Sequence, residues 1–113
     1  MTDNVHERRK NKRVPVKVDY SLTIGNEEYV GVAGNISLGG VYLQTFEPKF
    51  TEDMLRQRGL ISLDLGAGKI TISCVIVYVG GYRIPKPEGV GAAFADVSDE
   101  HLDMLKVFIA GNP

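Results

Sequence analysis

Eleven residues, Val14 to Ile24, decide what this chain can fold into. Val14, Val16, Val18, Tyr20, Leu22 and Ile24 alternate without a break with Pro15, Lys17, Asp19, Ser21 and Thr23. A period of two gathers the first set on one face of an extended strand and the second on the other. On a helix the same residues would be scattered around the whole circumference. The segment is therefore a long strand with one buried face, and that face needs further strands to cover it.

The rest of the chain supplies them. Gly25-Asn26 reads as a two-residue hairpin turn, and the chain returns over 29–33. The turn Asn35-Ile36-Ser37-Leu38-Gly39-Gly40 leads into a short strand at 41–45. Residues 46–59 break the β pattern. There Thr51 is placed to cap a short helix, with Glu52 and Asp53 in its first turn and Gly59 at its end. Strands follow at 60–65 and 70–79, joined by Gly66-Ala67-Gly68. In the second, Ile70, Ile72, Cys74, Ile76 and Tyr78 share one face. Val75, Val77 and Val79 make the other face apolar too, so that end is expected to be covered on both sides. A Pro/Gly-rich loop at 80–89 precedes a last short strand at 90–94.

Ser98 then N-caps a helix over 98–110, with Asp99 and Glu100 in the first turn. Leu102, Leu105, Phe108 and Ile109 form its apolar stripe, Met104 flanks it, and Gly111 and Pro113 stop it. Six β runs and one amphipathic helix predict a mainly β fold. The expected form is a small six-stranded antiparallel β-barrel, plugged or flanked by a C-terminal α-helix. Residues 1–13 lack any apolar period and read as a flexible basic arm, leaving 14–113 as a single domain.

Several functions are excluded at this level. At 113 residues, with 43% hydrophobic and 24% charged residues, the chain can bury a core without disulfides. Its apolar runs are too short to span a membrane, and its polar start lacks a signal segment, so a cytoplasmic location is expected. His6 and His101 lie at opposite ends, and Cys74 falls on a core face, so no metal-ligand spacing exists. Ser37 has no histidine or lysine nearby in sequence to activate it. No carboxylate pair stands out. The expectation is a protein that is not an enzyme and uses no cofactor.

The chemistry that remains is recognition. Residues 1–18 carry six basic and two acidic side chains, a net +4, so the remainder carries −5. Such an asymmetry draws anions to one place. Arg9 and Arg13 stand four apart, and Arg8 precedes them. A guanidinium bonds phosphate oxygens in bidentate fashion and stacks on a purine. In the turn, Asn35 offers a donor and an acceptor, and Ser37 a hydroxyl. Gly39 and Gly40 permit positive φ and a close backbone approach. Each element has a plainer reading: Asn, Ser and Gly-Gly build any tight turn, and a basic terminus can simply aid solubility.

Taken together, the run from Arg9 to Arg13 followed by Asn35-Ile36-Ser37-Leu38-Gly39-Gly40 resembles the paired signature of PilZ domains, RxxxR and then (D/N)xSxxG. Val14-Pro15-Val16 after the first motif, and Val90-Gly91-Ala92-Ala93-Phe94 before the final helix, are similar to that family as well. The resemblance spans about residues 7–110. It implies a receptor for the bacterial second messenger cyclic di-GMP. Arg9 and Arg13 would clamp phosphate and stack on or bond guanine. Asn35 and Ser37 would bond a guanine edge, and Gly40 would keep the surface open. Arg8 fills a position that in the family tends to accompany a stacked pair of ligands. The connection at 46–59 is longer than a minimal PilZ connection. The resemblance implies an arm that changes position on ligand binding and signals to a protein partner. Two alternatives stay open: a nucleic-acid or polyanion-binding barrel, and a PilZ-type adaptor that no longer binds the nucleotide. Against nucleic acid stand the acidic body and the lack of any evident aromatic platform on the surface.

Overall fold

The computed structural model describes residues 13–47, 51–80 and 89–111. The basic run at 8–12, the loop at 81–88 and Pro113 lie outside the described residues. Strand β1 runs Val14–Ile24, with Val14, Val18, Tyr20, Leu22 and Ile24 buried and Val16 packed against them. Gly25 takes φ 61° and Asn26 has no positive φ, the pattern of a II′ hairpin turn. Strand β2 then runs Glu27–Ile36, so Asn35 belongs to the strand and the connection shrinks to Ser37-Leu38-Gly39. Strands β3 (Gly40–Glu47), β4 (Arg58–Asp64), β5 (Lys69–Val79) and β6 (Val90–Asp96) follow, then helix α1 (Asp99–Ala110).

All neighbouring strands are antiparallel, in the order β1-β2-β3-β6-β5-β4, and β4 pairs with β1 to close the barrel. Inside, Leu22, Ile36, Leu43, Ile61, Leu63, Ile70, Ile72 and Ile76 are fully buried. Helix α1 begins at Ser98, whose Oγ accepts the His101 N–H at 3.2 Å. The helix sends Leu105 into the core, with Met104, Phe108 and Ile109 packed beside it. Met104 lies over Gly68, so α1 covers the barrel end at which β4 turns into β5. By the strand order, β2 also ends and β3 begins at that end.

Two local expectations are corrected. Residues 52–59 form no α-helix: a 3-10 turn covers Glu52–Met54, and the Thr51 hydroxyl bonds the Asp53 carboxylate without capping it. Pairing with β5 overrides the local preference, since the Arg56 N–H bonds the Ile76 carbonyl at 2.6 Å and the Ile76 N–H bonds that of Gln57 at 3.0 Å. Gly59 ends nothing. It lies within β4, where a Cβ would stand 2.7 Å from the Thr23 carbonyl oxygen. The outer face of β5 is not covered throughout either, because Val77 is 56% exposed.

Candidate functional site

The pairing of β1 with β2 brings two distant stretches of sequence together. Val14 stands opposite Ile36, both inward, and Pro15 opposite Asn35, both outward. Arg13 and Ser37 are the residues next beyond this last pair, one at the start of β1 and one at the end of β2. Arg13 is exposed. Arg13, Asn35, Ser37, Gly39 and Gly40 therefore share one end of the barrel. Arg8 and Arg9 lie outside the described residues.

Asn35 faces outward because β2 changes phase. Tyr29 and Ala33 point inward, and simple alternation would carry Asn35 inward with them. The register shifts on both sides of this point. Val16 and Lys17 of β1 oppose Gly34 alone, and β2 slips against β3 between Val32 and Asn35. Such bulges re-aim side chains. Here they turn Ile36 into the core and Asn35 outward. Gly34 sits at the crossing, where the exposed Gln44 side chain lies across it; a Cβ there would meet that side chain at 2.5 Å and push it aside.

The turn is tied down from several sides. The Ser37 N–H bonds the Gly40 carbonyl at 2.9 Å, and the Gly39 N–H bonds Ser37 Oγ at 3.1 Å. The Gly39 carbonyl accepts the Phe94 N–H of β6 at 2.9 Å. Ser37, only 8% exposed, is thus part of the turn's own framework. Neither Gly39 nor Gly40 takes a positive φ, contrary to the expectation from sequence. The physical demand at Gly40 is different: a Cβ would stand 2.6 Å from the Ala92 carbonyl oxygen. Its lack of a side chain lets β3 and β6 approach.

Following the pairing outward from Asn35 reveals residues that sequence reasoning missed. Asn35 stands opposite Tyr42 of β3, Tyr42 opposite Gly91 of β6, and Gly91 opposite Tyr78 of β5. Tyr42 lies between the inward Val41 and Leu43, and so points outward. Tyr78 was expected on the inner face. A register shift between Ile76 and Tyr78 puts Val79 against the core instead and turns Tyr78 out. The two rings meet across Gly91 with centroids 6.3 Å apart and planes tilted by 32°. The barrel thus has an outward aromatic pair where none was evident from sequence. The only available signal was the run Val75-Ile76-Val77-Tyr78-Val79, which contains no polar residue to define its phase.

Elsewhere the described residues hold no group of three or more His, Cys, Asp or Glu side chains able to bind a metal. No described helix is long and apolar enough to cross a membrane. Cys74 is fully buried, and burial pushes its thiol up to about 11.

Comparison with known proteins bears on the fold and the family. Bacillus subtilis inhibitor of motility (MotI/DgrA) superposes with a TM-score of 0.75 at 15% identity, over 92% of this chain and 50% of that one. The PilZ domain of CeSA from a cellulose-synthesizing bacterium gives 0.67 at 14% identity, over 88% and 96% of the two chains. Escherichia coli YcgR, solved in complex with c-di-GMP, gives 0.71 at 20% identity, over 92% and 45%. The chain thus spans about half the length of MotI and of YcgR, and nearly all of the isolated CeSA domain. No curated protein matches the chain. The family model described as PilZ domain matches residues 7–111. A closed six-stranded barrel with its terminal helix, matched over nearly its whole length, identifies this chain as a member of the PilZ domain family, whose domains are non-enzymatic receptor and adaptor modules.

Proposed function

We propose that this domain is a cyclic di-GMP receptor of the bacterial cytoplasm that passes the signal to a protein partner. The observation that carries the reading is the β1–β2 register, whose last pairs, Val14 with Ile36 and Pro15 with Asn35, put Arg13 and the Asn35–Ser37 segment at the same end of the barrel. Two groups suited to phosphate and to a base edge, far apart in sequence, adjoin on one barrel end. YcgR, a structural neighbour, was solved with c-di-GMP. In this reading Arg9 and Arg13 grip phosphate and stack on guanine, and Asn35 and Ser37 bond the guanine edge. Arg8 serves a second, stacked ligand. The basic arm at residues 1–13 closes over the ligand, and its new position is what the partner recognises. The ordering cost of that arm is exceeded by charge-assisted hydrogen bonds.

Calorimetric titration with cyclic di-GMP tests this, with GTP and single-stranded DNA as controls. The expected result is saturable binding of cyclic di-GMP, poor competition by GTP, and two ligands per domain falling to one in Arg8→Ala. Equal binding of GTP, or binding of neither, refutes the ligand. A stoichiometry near one that Arg8→Ala leaves unchanged refutes the role of Arg8.

A further inference from the structure

We propose that Arg56 and Arg58, set among Leu55, Leu60 and Val77 on the outside of the barrel, form a docking surface for an acidic, partly apolar segment of a partner protein. This rests on the partner-directed part of the function proposed above and not on the identity of the nucleotide. The argument starts from the backbone. Arg56 has φ 72° and is the one non-glycine residue with positive φ among the described residues. Leu55 before it has φ −54° and ψ 133°, and the Gln57 N–H bonds the Met54 carbonyl at 3.0 Å. These are the marks of a type II turn, whose third position calls for glycine. The same residue opens a bulge. The Arg56 N–H bonds the Ile76 carbonyl, and the Ile76 N–H bonds the Gln57 carbonyl. Two residues thus oppose one, in the arrangement whose first member is ordinarily glycine. Two separate demands for glycine fall on a position held by arginine. The Arg56 side chain adds nothing to the core. It is exposed, and among the described residues no acidic group pairs with it or with Arg58. Its use lies outside the fold.

The surroundings say what it meets. Val75 stands opposite Arg58, and Ser73 opposite Leu60. Cys74 and Ile76 are buried, so Ser73, Val75 and Val77 face outward. Of the five large apolar side chains that stand exposed among the described residues, Leu55, Leu60 and Val77 lie here. A groove over Gly59 runs past Arg58 and Leu60 to Ser73 and Ala95. Apolar side chains beside two unpaired guanidiniums fit a segment that carries carboxylates with apolar side chains between them. The arm at 1–13 is net basic, so like charge keeps it from being the occupant. Strand β4 begins at the end where β1 turns into β2, away from Asn35 and Ser37. Partner and nucleotide can therefore be held at once.

The test uses the full chain and two synthetic peptides, one with leucines spaced among glutamates and one with every glutamate replaced by lysine. Backbone amide NMR follows the titrations. The acidic peptide is expected to shift the amides of 55–60 and 73–77, and the lysine peptide to leave them in place. Arg56→Gly, Arg56→Ala and Arg58→Ala are each expected to weaken the acidic peptide about 5-fold or more, while cyclic di-GMP binds all three as it binds the unmutated chain. Arg56→Gly should also raise Tm by about 2–4 °C, because glycine relieves the turn, whereas Arg56→Ala should not raise it. A variant that grows more stable as it loses the peptide has not lost it by unfolding. Equal binding of the lysine peptide, shifts confined to other surfaces, or an Arg56→Gly chain that melts no higher than the unmutated one each overturn the proposal. So does self-association by sedimentation that Arg56→Ala abolishes, which would make the occupant a second copy. Loss of the proposal leaves cyclic di-GMP binding standing, and a chain that binds the acidic peptide but not cyclic di-GMP overturns the receptor reading alone.

Discussion

Gly40→Ala separates two roles that a glycine beside a ligand site can have. If Gly40 keeps a surface open for a flat ligand, alanine should cost affinity and little stability. The structure gives the opposite expectation. The added Cβ would stand 2.6 Å from the carbonyl oxygen of Ala92, which is backbone of the paired strand β6. Ordinary contact begins at 3.4 Å, so the strands must separate by several tenths of an ångström at a point where the Phe94 N–H also bonds the Gly39 carbonyl. Overpacking of this kind costs about 1–3 kcal/mol. For a chain of 113 residues each kcal/mol lowers Tm by about 4 °C, so the expected drop is about 4–12 °C. Thermal unfolding followed by circular dichroism measures it. Gly111→Ala is the control, since Gly111 has φ −82° and a Cβ added there meets nothing closer than 3.6 Å, an ordinary contact. A Gly40→Ala protein that melts like the unmutated one yet has lost cyclic di-GMP binding would refute the steric argument and restore the open-surface role.

Three further outcomes are expected. Arg13→Ala should weaken cyclic di-GMP binding by one to two decades, on the basis of about 1.5–3 kcal/mol per charged hydrogen bond. Because Arg13 is exposed, Tm should not move, and a large drop in Tm would argue for a structural role. Arg13→Lys should also weaken binding, because it loses the planar fork. Ser37→Ala removes the acceptor for the Gly39 N–H and should cost about 1 kcal/mol of stability; its loss of affinity should be greater for cyclic di-GMP than for a generic polyanion, and equal losses would reduce Ser37 to scaffolding. Stability should fall above pH 9. Burial raises the Cys74 thiol from 9.0 to about 11, so the unfolded chain releases that proton first, and the stabilisation present below pH 9 is lost as pH rises towards 11. Denaturant titrations across pH 8–11 would show this; Cys74→Ala should remove the part of the fall between pH 9 and 10, while the buried Tyr20 and Tyr29, also raised by desolvation, keep a fall above pH 10.

The barrel was legible because β1, one of its two longest strands, keeps strict alternation. Val14–Ile24 folds over the residues the pattern marks, and the helix starts at the cap that Ser98 supplies. Those signals are local. What could not be read were the places where strands slip past one another. The bulges at Val16-Lys17 and Gly34 leave no mark in composition, yet they decide that Asn35 faces out. The same holds for Tyr78, turned by a shift within an all-apolar run. Gly59 and Gly40 show a second limit. A glycine in the sequence marks a special place but does not say which kind. Gly59 reads as a helix stop and Gly40 as a site of positive φ, whereas both are points where two strands come too close for a Cβ.

The line from Asn35 through Tyr42 and Gly91 to Tyr78 crosses the strands rather than following one of them. Its spacing is therefore set by inter-strand hydrogen bonds, at about 4.8 Å per strand, or roughly 14 Å from end to end. No substitution along it can stretch or shorten that pitch; only the reach of individual side chains can change. A binding site built on a loop can be retuned by inserting a residue, whereas one laid across a closed barrel works as a ruler of fixed length. Exchanging a side chain on this line changes what that mark can grip and leaves the distance between marks as the pairing sets it.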